Sequence, residues 1–137
     1  MMLKLKTGQV AGYNEGQDPL IYLVSTAQAV ESAGLDFVYS DGHGLAMFTE
    51  WFEELDCLDA VDWAVVNLRY WTDTINDMDR QRKKQAEFLV HQCCPWTLIQ
   101  EIVVIDVAMK QRVDSIQAAF PATQRRVVRV DRNWYYW

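Results

Sequence analysis

Nowhere in the chain do roughly 18 apolar residues run together, and no basic start leads into an apolar stretch. The sequence therefore predicts neither a membrane-spanning helix nor a secretory signal. Cysteine is scarce. Cys57, Cys93 and Cys94 are odd in number with two adjacent, which makes no disulfide framework, so a reducing cytoplasm is the expected compartment. Metal-ligand spacing is missing as well. No CxxC or HxxxH pair accompanies His91, Cys93 and Cys94, and Asp56, Asp59 and Asp62 lack the alternation and the glycine of a calcium loop. Incidental thiols and a solvated helix boundary are the plain readings, and no metal is expected. GxSxG, the Walker glycine-lysine loop and GxGxxG are all absent. So are internal repeats and low-complexity tracts.

What is present is one domain's worth of chain: 137 residues, half of them hydrophobic, with 6 Trp, 6 Tyr and 5 Phe. That content argues against disorder and suffices for a core burying roughly 65–70% of the unfolded surface. The net charge of −6 is unevenly spread. Residues 1–79 hold 3 basic and 14 acidic groups, whereas residues 80–137 hold 10 basic and 5 acidic ones. Arg80, Arg82, Lys83 and Lys84, then Arg125, Arg126, Arg129 and Arg132, suggest a basic face on an acidic body. Such a face allows a polyanionic partner. The acidic total argues against non-specific coating of nucleic acid.

Along the chain, GYNEGQDP (12–19) has turn chemistry and LIYLVS reads as a buried strand. A helix over TAQAVESAG follows, ended by Gly34, and DFVYS is a second strand running into the turn DGHG. Leu45, Phe48, Trp51, Phe52 and Leu55 have the spacing of an amphipathic helix. Asp62 can cap a short helix through Trp63, Val66 and Leu68. RYWTDTINDMDRQRKK reads as irregular, and QAEFLVH, IQEIVVID and RRVVRV as strands. A helix over VAMKQRVDSIQAAF stops before Pro121. About five strands and four helices without a βαβ rhythm predict an α+β fold.

Glu87 is the puzzle within QAEFLVH. Strand alternation puts Gln85, Glu87, Leu89 and His91 on one face and Ala86, Phe88 and Val90 on the other. A lone carboxylate there sits at the wet end of a sheet or is held for chemistry. His43 lies on a glycine-flanked turn directly after a strand, a common place for a functional side chain, although on position alone an ordinary turn histidine is the plainer reading. Tyr70, Trp71, Arg80 and Arg82 have the character to stack a base and hold phosphates.

The order of these features carries a resemblance. Gln85-Ala86-Glu87 is a Q-x-E triplet at a strand start, similar to the catalytic strand of ADP-ribosyltransferases, preceded by a long polar segment with aromatics. Around it, in order, stand Gly16-Gln17-Asp18-Pro19, Phe37 to His43, Leu58 to Trp63, Gln85 to Val90, Pro95-Trp96 and Trp134-Tyr135-Tyr136. Over nearly all of its length the chain resembles the DarT family, DNA-modifying ADP-ribosyltransferase toxins paired with a macrodomain antitoxin.

The resemblance implies an ADP-ribosyltransferase-like mixed sheet with flanking helices. It also implies transfer of ADP-ribose from NAD to thymine in single-stranded DNA, and the antitoxin DarG as the partner that removes the mark. Glu87 matches the family's catalytic glutamate on a strand at about 85–91. The segment from about 43 to 87 matches the substrate loop, and His43 falls where the family has a histidine near the target base. Arg80, Arg82, Lys83 and Lys84 would flank the DNA path. Met2-Leu3 resembles a P-M-L point well inside the family's domain. The chain is thus expected to be a single partial domain over 1–137, without the histidine and arginine of the upstream NAD-binding part. Weak NAD binding, little activity by itself and self-association through an exposed sheet edge are the corresponding expectations. A non-catalytic remnant that binds single-stranded DNA or an antitoxin, and a protein using the scaffold for assembly, are the alternatives.

Overall fold

The computed structural model describes residues 10–136; Met2 and Leu3, which carry the expectation about the domain's start, lie outside the described residues. The chain divides into two compact units, one of residues 10–25 and 95–136, the other Thr26–Cys94. Among the described residues no helix is long and apolar enough to cross a membrane.

The discontinuous unit is built on strands β1 (Tyr22–Val24), β5 (Glu101–Val104) and β6 (Val127–Val130) in the order β1-β5-β6. β5 is central, antiparallel to β1 and parallel to β6, with Tyr22 opposite Val103 and Ile102 opposite Val128. Its β-branched run Ile102, Val103, Val104 is buried on both faces, as a central strand's should be. A parallel partner requires a crossover, supplied by helix α4 (Val107–Gln117), whose N-cap Asp106 accepts from the Met109 amide at 2.8 Å. Val113 and Met109 of α4 pack on Ile102, Val104 and Val128 to form the core. Tyr135 and Tyr136 close this unit. Tyr135 Oη donates to the Leu20 and Val103 carbonyls, and Gln17 exchanges two hydrogen bonds with the backbone of Tyr136.

In the continuous unit, strand β2 (Phe37–Ser40) lies between β3 (Trp51–Phe52) and β4 (Phe88–Val90), both antiparallel to it. Helix α1 (Ala27–Ser32) precedes β2, capped by Thr26, and Gly34 at φ 68° ends it as expected. Asp62 caps α2 (Trp63–Val66) through the Val65 amide. Of RYWTDTINDMDRQRKK, expected to be irregular throughout, residues 69–79 are so, whereas Arg80–Lys83 form one turn of helix, α3, before β4.

One expected element is absent. Residues 45–55 form no amphipathic helix: turns lead into β3, and a 3-10 helix begins at Leu55. The apolar residues at helical spacing do not share a buried face, since Leu45 is 91% and Phe48 80% exposed. Trp51 and Phe52 instead complete the β2 sheet. Two local bonds favour the turn, Glu50 N–H to Asp41 Oδ1 at 2.9 Å and Thr49 Oγ1 to the His43 carbonyl at 2.7 Å. Phe48→Ser should therefore change stability by less than about 0.5 kcal/mol in urea unfolding, as exposed positions do. A loss near 2 kcal/mol would restore the helical reading.

Candidate active site

Two rows of side chains cross the β3-β2-β4 sheet. On one face Phe52, Tyr39 and Phe88 stand opposite one another, with ring centroids 5.3 and 6.2 Å apart across Tyr39. The next row, on the opposite face, is Trp51, Ser40 and Glu87. Ser40 pairs with Trp51 in the register, and its amide donates to the Glu87 carbonyl at 2.9 Å. The Ser40 hydroxyl accepts from the Glu87 amide at 3.1 Å and donates to the Gly42 carbonyl at 2.7 Å. Glu87 is thus held by its backbone. Its side chain is exposed, as are its same-face neighbours Leu89 and His91, so the expected alternation is observed from Ala86 to His91; Gln85 instead lies in the turn after α3, and the strand itself is only Phe88–Val90.

The SDGHG turn closes over this row. A Cβ built on Gly44 would lie 2.8 Å from Trp51 Cζ2 and 3.6 Å from Glu87 Oε2. Only a residue without a side chain fits between the indole and the carboxylate. His43 follows the same turn: its amide donates to the Arg82 carbonyl at 2.9 Å, and its Nδ1 is buried without a hydrogen-bond partner.

Arg82 fixes the turn to α3. Its guanidinium donates to Asp79 at 2.7 to 2.9 Å, to Asp41 Oδ1 at 2.9 Å and to Thr49 Oγ1 at 3.3 Å. Gly42 leaves room for it, since a Cβ there would come 2.5 Å from Arg82 Nη1. The other basic residues are also engaged within the chain. Lys83 pairs with Asp62 at 3.2 Å and Asp77 at 3.7 Å, and Arg80 with Asp77 at 3.7 Å. Lys84 Nζ donates to the Val65, Val66 and Leu68 carbonyls at the end of α2 and lies 5.2 Å from the Trp71 ring centroid. Burial lowers the Lys84 pKa. Tyr70 is 77% exposed.

The structure thus brings Glu87, His43 and Arg82 to one turn, while Lys84 and Trp71 form a cluster of their own. Sequence reasoning missed Trp51, Ser40 and Gly44, because Trp51 was assigned to a helix. The glycines flanking His43 were the available signal. Among the described residues no group of three or more His, Cys, Asp or Glu side chains is arranged to hold a metal. A cleft of about 930 Å³ in this unit is lined by Glu31, Asp36, Glu53 and Glu54 with His91, and Glu87 is not part of it. Four carboxylates make that cleft a poor place for phosphates, so the exposed Glu87 row is the better candidate.

Two carboxylates at these anchors should make the fold acid-sensitive. The Arg82 hydrogen bond holds Asp79 below its ordinary pKa, and the Val65 amide, then Lys83, do the same for Asp62. A depressed folded-state pKa gives stability that is complete above the unfolded value and lost as pH falls through the folded one. Urea midpoints followed from pH 6 to pH 3 should decline below about pH 4, and Asp79→Asn should flatten that decline. An unchanged slope would remove Asp79 as a contributor.

The family model for "ssDNA thymidine ADP-ribosyltransferase, DarT" matches residues 1–136. A DNA ADP-ribosyl transferase of Thermus sp. (strain 2.9) is 41% identical over 124 residues, 90% of this chain and 58% of that protein. Solved structures of Thermus sp. 2.9 DarT in complex with NAD+ and with ADP-ribosylated ssDNA each match at TM-score 0.90 and 38% identity. They cover 98% of this chain, and 66% and 63% of the two solved chains. The α+β expectation is met, and this chain, spanning little more than half the length of its Thermus relative, belongs to the DarT family.

Proposed function

We propose that this chain is a portion of a toxin that transfers ADP-ribose from NAD to thymine in single-stranded DNA, with Glu87 as the catalytic residue. The observation that carries the reading is the match of residues 1–136 to the DarT family model, together with the likeness to a Thermus DarT solved with NAD+ and with ADP-ribosylated ssDNA. The position of Glu87 supports it: a backbone-fixed carboxylate, exposed beside a glycine. In the transfer, the bond between ribose and nicotinamide breaks and nicotinamide leaves with the bonding pair. A bond then forms from the ribose carbon to a thymine ring nitrogen, whose proton must be accepted. Glu87 meets both demands. Its charge stabilises the oxocarbenium character at the ribose, and its oxygen can take the proton. His43 would stand near the base. Arg82 would position that turn, leaving Arg80, Lys83, Lys84, Tyr70 and Trp71 to flank the DNA.

The macrodomain antitoxin DarG would be the partner that reverses the mark, and the cytoplasm, where DNA is available, the place of action. Self-association belongs to the same proposal. Among the described residues β1 is an edge strand; its Leu23 and the preceding Ile21 are 50% and 41% exposed beside an apolar groove of about 640 Å³. A monomer by light scattering would overturn that part.

The test of the main reading is the intact mass of a thymine-containing oligonucleotide after incubation with NAD. It is run with this chain and with the chain extended by the N-terminal segment of the Thermus relative. A gain of one ADP-ribose with the extended chain, and little or none with this chain alone, is the expected result. A full gain with this chain alone would overturn the expectation that it needs the upstream segment. No gain in either would favour the binding remnant instead.

A further inference from the structure

We infer that Ser40 is a positioning residue for the transfer: its hydroxyl ties the strand entry that carries Glu87 to the turn that carries His43. The inference rests on the transfer reading above for the role of Glu87, and on the sheet for its geometry. In a hydrogen-bonded antiparallel pair, two facing residues exchange both backbone bonds. At Ser40 and Glu87 the first of these is present, from the Ser40 amide to the Glu87 carbonyl at 2.9 Å. The Glu87 amide donates instead to the Ser40 hydroxyl, at 3.1 Å. A side-chain oxygen thus stands where a strand carbonyl would. Unlike a carbonyl it also has a proton to donate, and this goes to the Gly42 carbonyl at 2.7 Å.

One oxygen therefore holds two elements of the site. Ser40 is 1% exposed and, among the described residues of its unit, is the only polar residue that is buried. The turn it holds bears on the carboxylate: a Cβ on Gly44, two residues past Gly42, would lie 3.6 Å from Glu87 Oε2. Arg82 fixes the same turn to α3 through Asp41 and Thr49, whereas Ser40 fixes it to Glu87. Among the described residues the Glu87 carboxylate takes part in no hydrogen bond or ion pair of its own. Its direction is left to the backbone beneath it and the turn beside it, and the Ser40 hydroxyl sets both. A misplacement of about 1 Å at a reacting group can cost about 10²-fold in rate.

The test has two arms. The first is a double-mutant cycle in whichever form of the protein carries transfer. Ser40→Ala should lower kcat roughly 10- to 100-fold with KM for NAD and for the oligonucleotide nearly unchanged. Ser40→Thr, which keeps the hydroxyl, should retain most of the rate. In a Glu87→Gln background Ser40→Ala should cost less than about threefold more, since no carboxylate is left to position. The same loss in both backgrounds, or full activity of Ser40→Ala, would overturn the inference. The second arm is amide hydrogen exchange in this chain, which needs no turnover. Ser40→Ala should speed exchange in residues 40–50 and in residues 85–90 together, and leave β5 and β6 as they are. Faster exchange in one of the two segments alone, in neither, or in all peptides alike would overturn the tie. Ser40→Cys, whose thiol is a weak donor of similar size, serves in both arms if the alanine chain does not fold. Linked exchange with no ADP-ribose transfer from any form would overturn the transfer reading alone.

Discussion

Replacing Glu87 by glutamine should reduce ADP-ribose transfer roughly 10²–10³-fold, the usual effect of losing one well-placed electrostatic group. The substitution keeps the shape and removes the charge. It should leave the fold intact because the sheet holds Glu87 by its amide and carbonyl, through Ser40. Among the described residues its carboxylate takes part in no hydrogen bond or ion pair, so no partner is orphaned by the change. Oligonucleotide binding should therefore stay nearly as it was. The measurement is the initial rate of mass gain on the oligonucleotide, set beside anisotropy binding of the same strand, in whichever form of the protein carries transfer. Parallel loss of rate and binding would make Glu87 a structural residue.

Tyr39→Ala should cost about 3–5 kcal/mol, the range for emptying a buried aromatic site. Tyr39 is 2% exposed, stacks between Phe52 and Phe88, and its hydroxyl donates to the Glu54 carbonyl at 2.7 Å. Against a typical total of about 5–15 kcal/mol, that loss is a large share of the margin. Tyr39→Phe separates the two contributions. It keeps the ring stack and removes one hydrogen bond, and should cost only about 1 kcal/mol. Urea unfolding followed by tryptophan fluorescence distinguishes the two variants. Similar small losses from both would mean that the ring stack does not support the sheet.

The strands were the most legible part of the fold. Tyr22–Val24, Phe37–Ser40, Glu101–Val104 and Val127–Val130 all fall within the β-branched and aromatic runs that predict them. Caps were legible at Asp62 and at Gly34, where a short polar side chain or a left-handed residue settles the end locally. The stretch 45–55 was not, because its helical spacing competed with interactions from outside the stretch, some from just before it and some from Arg82 well beyond it. Ser40 claims Trp51 for a sheet, and Asp41 and Arg82 hold the turn before it. Glu87 stands out as a candidate through the Q-x-E resemblance but not through burial or charge, since an exposed carboxylate at a strand start looks ordinary. Trp51 and Gly44 were invisible for a different reason. Their meaning depends on cross-strand register, which the order of residues does not state.

The reciprocal bonds between Gln17 and Tyr136 join residues 119 positions apart, and the unit they close is interrupted by the whole of Thr26–Cys94. During synthesis the interrupting unit has all of its strands available once β4 has emerged, long before Trp134, Tyr135 and Tyr136 exist. Nascent chains should therefore pass through a stage in which the Glu87 sheet is assembled while β1 still waits for β5. Pairings of such long sequence separation are slow to form. The order of maturation would then be fixed by the gene itself: the sheet beside Glu87 first, and the clasp of Tyr135 and Tyr136 at the end.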